Sequence, residues 1–536
     1  MNKYHLSALL LLTFVTSCGE NISPVDSGLE QQIFHFGNGA EPQGLDPHIV
    51  TGVPEHHLLI ALCEGLTSSN PRGGAPLPGM AESWTLSEDG TVYTFNINQN
   101  AKWSNGDQVV ADDFVWSWKR VLTPSLGSQY TDMLYYVKNA KEFYNGQITD
   151  FSDVGVKALD EYTLEVVLEN PTPFFLGLLS HYSTWPVHKD TVLKHGDIDD
   201  RNGQWTRPGN FVCNGPFQLK SWELNNKIVV EKNPFYWDSK IVKLNEIHFY
   251  PISNSMTEDR MFRAGQLHYT TTVPSQKCPV YIEEGNSALK IDPYMGTYFY
   301  RTNTLHPVLK DVRIRKALAF SINKDQIVRK VSQCGQTPAN SFTPPGASGY
   351  EPETSIPYDI ALAKELLAEA GYPNGEGFPK LEILFNTSED HRKIALAVQQ
   401  MWQANLGITV ELVNQDWKVY LSRERSGDFQ ISRAGWIGDY EDPNTFLDTL
   451  MPGRGNNKTG WANLEYEKLV NQANEIQDID ERFSLLRQAE SILIDEMPII
   501  PIYTYVRQYQ LSDDVKGLYP NYLDHHHPKY IYLERD

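Results

Sequence analysis

Residues 380–415 constrain the fold more than any other stretch. "KLEILFNT" (380–387) and "ITVELVNQ" (408–415) read as strands, and "HRKIALAVQQMWQANLG" (391–407) between them reads as a helix ending at Gly407. Strand, helix and strand in succession are the ingredient of a parallel sheet, whose neighbouring strands need a long crossover. The alternation runs through the chain. "TVYTFNIN" (91–98) alternates like a half-buried strand after an "EDG" turn. "VVADDFVWSWKRVL" (109–122) predicts a helix, with Phe114, Trp118 and Val121 at helical spacing and Asp112 and Asp113 in its first turn. "YTLEVVLENPTPFF" (162–175) and "KIVVEKNPFYWD" (227–238) are strands stopped by prolines. Residues 311–331 form a helix pair or one bent helix, and 359–371 and 481–498 form helices stopped by Gly371 and Pro498. The build is α/β or α+β. A chain of 536 residues exceeds one core, so two or three domains are expected.

The N-terminus is a processing segment. "MNKYHLSALLLLTFVTSCGE" carries Lys3, then an apolar run from Leu6 to Val15 that is too short to span a bilayer and has the size of a signal-peptide core. Val15-Thr16-Ser17-Cys18 resembles a bacterial lipobox, which makes 1–18 a signal peptide and Cys18 the lipid-bearing, membrane-anchoring residue. Ordinary cleavage, with Cys18 there by chance, is the alternative. Residues 19–30 read as a polar tether, and no later stretch is apolar enough to span a membrane. The net charge of −21 argues against a nucleic-acid partner, which needs a basic face. Cys63, Cys213, Cys278 and Cys334 allow three disulfide pairings or free buried thiols, and no CxxC pair suggests a metal. Neither GxSxG, HExxH nor a Walker-type loop occurs, so no enzyme and no cofactor is implied. "HHH" (525–527) can bind a metal, but a solvated polar turn is the preferred reading, and Asp112-Asp113 is a helix start.

Several long blocks share one likeness. The stretch from "ALCEGLTSSN" to "FVWSWKRVL" (61–122) resembles the signature region of the solute-binding proteins of bacterial peptide ABC transporters, family 5. "GLDPHIVTGVPEHH" (44–57), "NPFYWD" (233–238), "DVRIRKALAFSINKDQIV" (311–328), "LLAEAGYP" (366–373) and "RAGWIGDYEDP" (433–443) resemble the same family in the same order, nearest its oligopeptide-binding branch. The resemblance implies an α/β, two-lobed periplasmic binding protein that closes on its ligand about a hinge. Domain I would be discontinuous (31–62, 187–275 and 500–536), domain II would be 63–186 and domain III 276–499. It also implies a monomer outside the cytoplasm that binds an oligopeptide and delivers it to an inner-membrane permease. Within the family, dipeptides, murein peptides, metal chelates and haem are alternative ligands. A secreted hydrolase and an anchored chaperone or structural lipoprotein are the readings outside it.

The same resemblance assigns the site. Asp439 would accept the peptide's α-ammonium, a cation that needs a fixed counter-charge once it leaves water. Gly435 and Ile437 would pair main-chain groups with the peptide, with Val53 doing so from the other lobe, and the small Gly435 and Gly438 would let a backbone approach. Tyr130, Trp417, Trp436 and Tyr505 would line the cleft as flat apolar walls. Arg433 and His391 would receive the peptide carboxylate. Read without the family, Asp439 caps a turn, His391 caps the helix that begins there, and each aromatic is core. Two positions depart from the family pattern: His306 stands where a Lys is expected for short peptides, and Glu424 where relatives carry an Arg.

Overall fold

Residues 22–536 are described in the computed structural model. The signal peptide and Cys18 lie outside the described residues. The strand–helix–strand unit forms where the sequence predicts it. Leu381–Asn386 and Val410–Gln415 run parallel, Leu381 opposite Val410, and Glu389–Leu406 crosses between them. Ser388 caps that helix, and Gly407 ends it at φ 72°, where a side chain would be strained. The two strands are one edge of a six-stranded sheet. Its order is Thr337–Pro338, Ile499–Gln510, Leu289–Thr302, Ile431–Ile437, Leu381–Asn386, Val410–Gln415. Trp402, Ile383, Leu318 and Ile500 belong to the continuous core around this sheet.

A second sheet joins distant parts of the chain. Ile33–Gly37 runs parallel to Glu246–Tyr250, which is followed in the sheet by Lys227–Lys232 and Phe217–Glu223. The segment between them carries its own antiparallel sheet, ordered Ala81–Leu86, Val92–Ile97, Thr163–Val167, Val156–Asp160. Against it lies the Ala111–Val121 helix, which buries Phe114, Trp118 and Val121, the residues at helical spacing. Fully burying a side chain such as Phe114 contributes about 1.5–3 kcal/mol. The Trp118 indole N–H donates to the Thr184 carbonyl at 2.8 Å, so its polar edge is satisfied as well.

Three expectations change. The tether expected over 19–30 is helical from Pro24 to Gln31, because Ser23 caps the first turn and Pro24 sits at its start. Asp26 of this helix meets Arg535 at 2.9 Å, which ties the two ends of the chain together. The boundary expected at 500 moves, since Ile499–Gln510 is a strand of the six-stranded sheet. That strand runs on until Leu511 bridges Tyr269, which bridges Phe36, so the two sheets are joined there by main chain. The "HHH" turn is not solvated: His525 and His527 are buried and His526 pairs with Asp524 at 2.7 Å. Among the described residues no cluster suited to a metal ion occurs. The open alternatives also resolve. Residues 311–331 are a pair of helices, Val312–Phe320 and Lys324–Ile327, the second widening through Val328–Ser332. Cys278 and Cys334 form a disulfide, and Cys63 and Cys213 are buried thiols.

Candidate functional site

The site is built on the Ile431–Ile437 strand. On one side it pairs antiparallel with Leu289–Thr302 along its whole length. On the other it meets Leu381–Asn386 only at Ile431 and Ser432. From Arg433 onward that edge has no strand partner. Gly438 N–H donates to the Met295 carbonyl, towards Leu289–Thr302. Main-chain groups alternate with a period of two, so those of Arg433, Gly435 and Ile437 point to this edge, where the Arg433 carbonyl accepts the Tyr420 hydroxyl and Gly435 and Ile437 stay open. Side chains alternate likewise. Arg433, Gly435, Ile437 and Asp439 are half-buried, while Ser432, Ala434, Trp436 and Gly438 are buried.

Asp439 lies just past the strand, with its side chain 11% exposed. The Tyr130 hydroxyl donates to its Oδ1 from 3.5 Å, and His181 Nε2 lies 3.4 Å away. Burial pulls the His181 pKa down to about 3, so the ring is neutral. Its Nδ1 accepts the Ser183 N–H, which leaves the ring proton on Nε2, facing Asp439. No cationic partner reaches Asp439 among the described residues. Burial, and then the charge of Asp132, push its carboxyl well above the usual carboxylate range. The turn-capping reading fails. Asp442 accepts the Asn444 N–H at 2.9 Å and pairs with Arg482 at 2.7 Å, while the Asp439 N–H donates to Thr445 Oγ1.

Arg433 is the opposite case. Its Nη2 donates to Tyr505 Oη at 2.6 Å and its Nη1 to Asn386 Oδ1 at 3.5 Å. The guanidinium lies 4.7 Å from the centre of the Tyr298 ring, and Nε is buried without a partner. No carboxylate pairs with it among the described residues. His391 stands by the same Tyr298 ring at 5.7 Å, with its Nδ1 buried and unpartnered. Burial, and then the nearby Arg433 charge, hold its pKa well below the ordinary value. It is not the helix cap, since Ser388 Oγ accepts the His391 N–H. Arg433, His391 and Tyr505 thus come together as a site for an anion. Asp439 and Tyr130 form a cation site six residues away, about 20 Å at roughly 3.3 Å per residue.

The remaining residues are placed as follows. Val53 is the first residue of the Val53–Leu62 helix and is exposed. A Cβ on Gly52 would lie 3.0 Å from the Trp417 ring, so that tryptophan closes against this helix end. Trp436 sits on the core side of the strand, its indole N–H bonded to the Thr445 carbonyl at 2.8 Å, and reaches only the cavity beside Asp439. The glycines make room for side chains rather than for a ligand backbone. A Cβ on Gly435 would stand 2.6 Å from Tyr505 Oη, and one on Gly438 3.1 Å from the Met295 side chain. His306 is not brought to the Arg433 cluster: its N–H donates to the Asn303 carbonyl and its Nδ1 accepts the Val308 N–H. Glu424 is a core residue, paired with Arg301 at 2.7 Å and accepting from Ser432 Oγ at 2.8 Å. His181, Asn386 and Tyr298 escaped sequence reasoning. None stands in a motif, and Tyr298 has only the signal of strand alternation opposite Gly435.

Known proteins match this chain in sequence and fold. The family model described as bacterial extracellular solute-binding proteins, family 5 Middle, matches residues 75–458. The periplasmic oligopeptide-binding protein OppA of Salmonella typhimurium is 38% identical over 516 residues, covering 94% of this chain and 93% of the relative. The crystal structure of Haemophilus influenzae OppA in complex with RPPGFSPFR superposes with a TM-score of 0.89 at 35% identity, covering 94% of this chain and 99% of that one. The Escherichia coli murein tripeptide-binding protein MppA, 34% identical, is similar at a TM-score of 0.89, covering 94% of this chain and 99% of that one. Its unliganded open form falls to 0.63 at the same identity, covering 94% and 98%. The lobes of this chain therefore do not stand as they do in that open form. With matched segments spanning most of its length, the chain belongs to the bacterial extracellular solute-binding proteins, family 5.

Proposed function

We propose that this protein is the extracytoplasmic substrate-binding component of a peptide ABC transporter, capturing oligopeptides between its lobes and delivering them to a membrane permease. One observation carries the reading: a cation-seeking carboxylate and an anion-seeking guanidinium, both largely buried and uncompensated, stand at two ends of one open strand edge. A peptide is a dipole of that kind. Its main chain fits the free edge of Gly435 and Ile437, which gives affinity whatever the side chains are. Its ammonium fits Asp439, with Tyr130 and neutral His181 as the other neighbours. Its carboxylate fits Arg433, beside His391 and Tyr505. Closing the lobes without a peptide strips water from an unpaired guanidinium and drives the Asp439 carboxylate to take up a proton, both of which are unfavourable. Ligand and closure are coupled for that reason, and the closed form is the state a permease can distinguish.

Oligopeptide-binding OppA proteins and the murein peptide-binding MppA among the relatives support the peptide class. Anchoring through Cys18 rests on the lipobox-like sequence. A thermal-shift screen with mixed peptides tests the function. A binder gains stability as RT ln(1+[L]/Kd) and returns the peptide uncleaved by mass spectrometry. Cleaved peptide indicates a hydrolase, and no shift with any peptide refutes the proposal.

A further inference from the structure

Beside Asp439 lies a cavity lined by Tyr130, Asp132, Trp436, Tyr440 and Asn456, among others, with space for a group the size of water or ammonium. Asp132 stands on the Thr131–Leu134 turn, is 6% exposed, and its Oδ1 has no hydrogen-bond partner. Two cations stand nearby and neither is hydrogen-bonded to Asp132, though Arg454 Nη1 is itself buried without a partner. Arg454 pairs with Asp448 at 2.6 Å and lies 4.9 Å from the Tyr135 ring centre. Lys458 donates to Gln129 Oε1 and to the Gly455 carbonyl. Neither makes an ion pair with Asp132, and His181, beside Asp439, is neutral. Burial, more than the Asp448 charge, raises the Asp132 pKa to about 6, against the pull of Arg454 and Lys458. Two carboxylates, Asp132 and Asp439, thus border one small cavity with no cation paired to either.

We infer that Asp132 is a specificity-determining residue for the first residue of the peptide, taking an ammonium carried on that residue's side chain while Asp439 takes the α-ammonium. The preferred ligand class is a peptide whose first residue is a diamino acid. This rests on the peptide-binding reading above. The cavity admits the charged tip alone, so the length of the side chain decides whether the tip arrives. An apolar side chain of equal length would leave Asp132 to hold a proton or a buried water.

Calorimetry at about pH 7, where free carboxylates are ionised and the peptide's amino groups are still mostly charged, tests this with peptides Xaa-Ala-Ala. Xaa is diaminobutyrate, ornithine or lysine, each against a neutral isostere. In the wild type at least one diamino peptide should bind roughly tenfold or more tighter than its isostere, the scale of a buried charge pair. Asp132→Asn should abolish the advantage of the diamino peptide over its isostere, and Asp132→Ser should do the same. An advantage that survives in both variants, or no advantage in the wild type, overturns the assignment and leaves a buried water at Asp132. Loss of all peptides in both variants assigns Asp132 a structural role and also overturns it. Failure of every peptide with the wild type refutes the peptide-binding reading itself, a different result from neutral peptides binding without a diamino preference.

Discussion

Removing the positive charge from the peptide's amino end should cost this protein more than any other single change to the ligand. Acetylation deletes the cation and leaves Asp439, with its side chain 11% exposed, facing only a hydroxyl at 3.5 Å and a neutral imidazole at 3.4 Å. Stranding one member of a buried charge pair costs on the order of 2–5 kcal/mol. At about 1.4 kcal/mol per decade, affinity should fall by roughly 30-fold to several thousand-fold. Asp439→Asn should weaken free peptides but penalise acetylated ones far less, since a neutral amide strands no charge. Isothermal titration of the four combinations forms a double-mutant cycle. The pH dependence has a definite sign. In the free protein the Asp439 pKa is raised by burial and by Asp132, and a bound ammonium lowers it. Binding therefore expels a proton, and affinity for free peptides should fall as pH drops through the raised range of this carboxyl. The acetylated peptide should lack that fall. If the two changes simply add, or both peptides share one pH profile, Asp439 does not hold the amino terminus.

Other consequences are as direct. Amidating the peptide's carboxyl end should weaken binding to the wild type and have much less effect in Arg433→Gln, because the buried guanidinium is then gone. Gly435→Ala puts a Cβ 2.6 Å from Tyr505 Oη, the partner of Arg433, and should lower affinity by roughly tenfold at nearly unchanged folding, read by calorimetry beside circular dichroism. Glu424→Ala should destabilise the six-stranded lobe by about 3–5 kcal/mol in urea denaturation, since it leaves Arg301 buried and unpaired. His306→Ala should leave affinity for short and long peptides alike unchanged, because its hydrogen bonds are local to its own turn. Labelled palmitate should enter the wild type and be lost in Cys18→Ser.

Much was legible without coordinates. The long blocks from 44 to 443 identify the family, and local chemistry places the elements: Asp and Glu in first turns, Gly407 and Gly371 at helix ends, period-two strands. These signals act over a few residues, so a linear reading captures them. The sequence also marks Asp439 and Arg433 as an opposed pair, six residues apart on what proves to be one strand and the loop after it. What it does not carry is which groups meet them. His181 and Tyr130 approach Asp439 from 258 and 309 positions away, found only once two lobes come together. Trp436 reads as a cleft aromatic, yet strand alternation turns it inward to Thr445. Gly435 reads as room for a ligand, yet Tyr505 fills that room. Glu424 looks like an altered ligand contact until Arg301, from another strand, is seen to neutralise it in the core. Charge, burial and contact are properties of three-dimensional neighbourhoods. Residue type and spacing determine what each segment can become, and tertiary packing alone decides which charges are left without a partner for a ligand to satisfy.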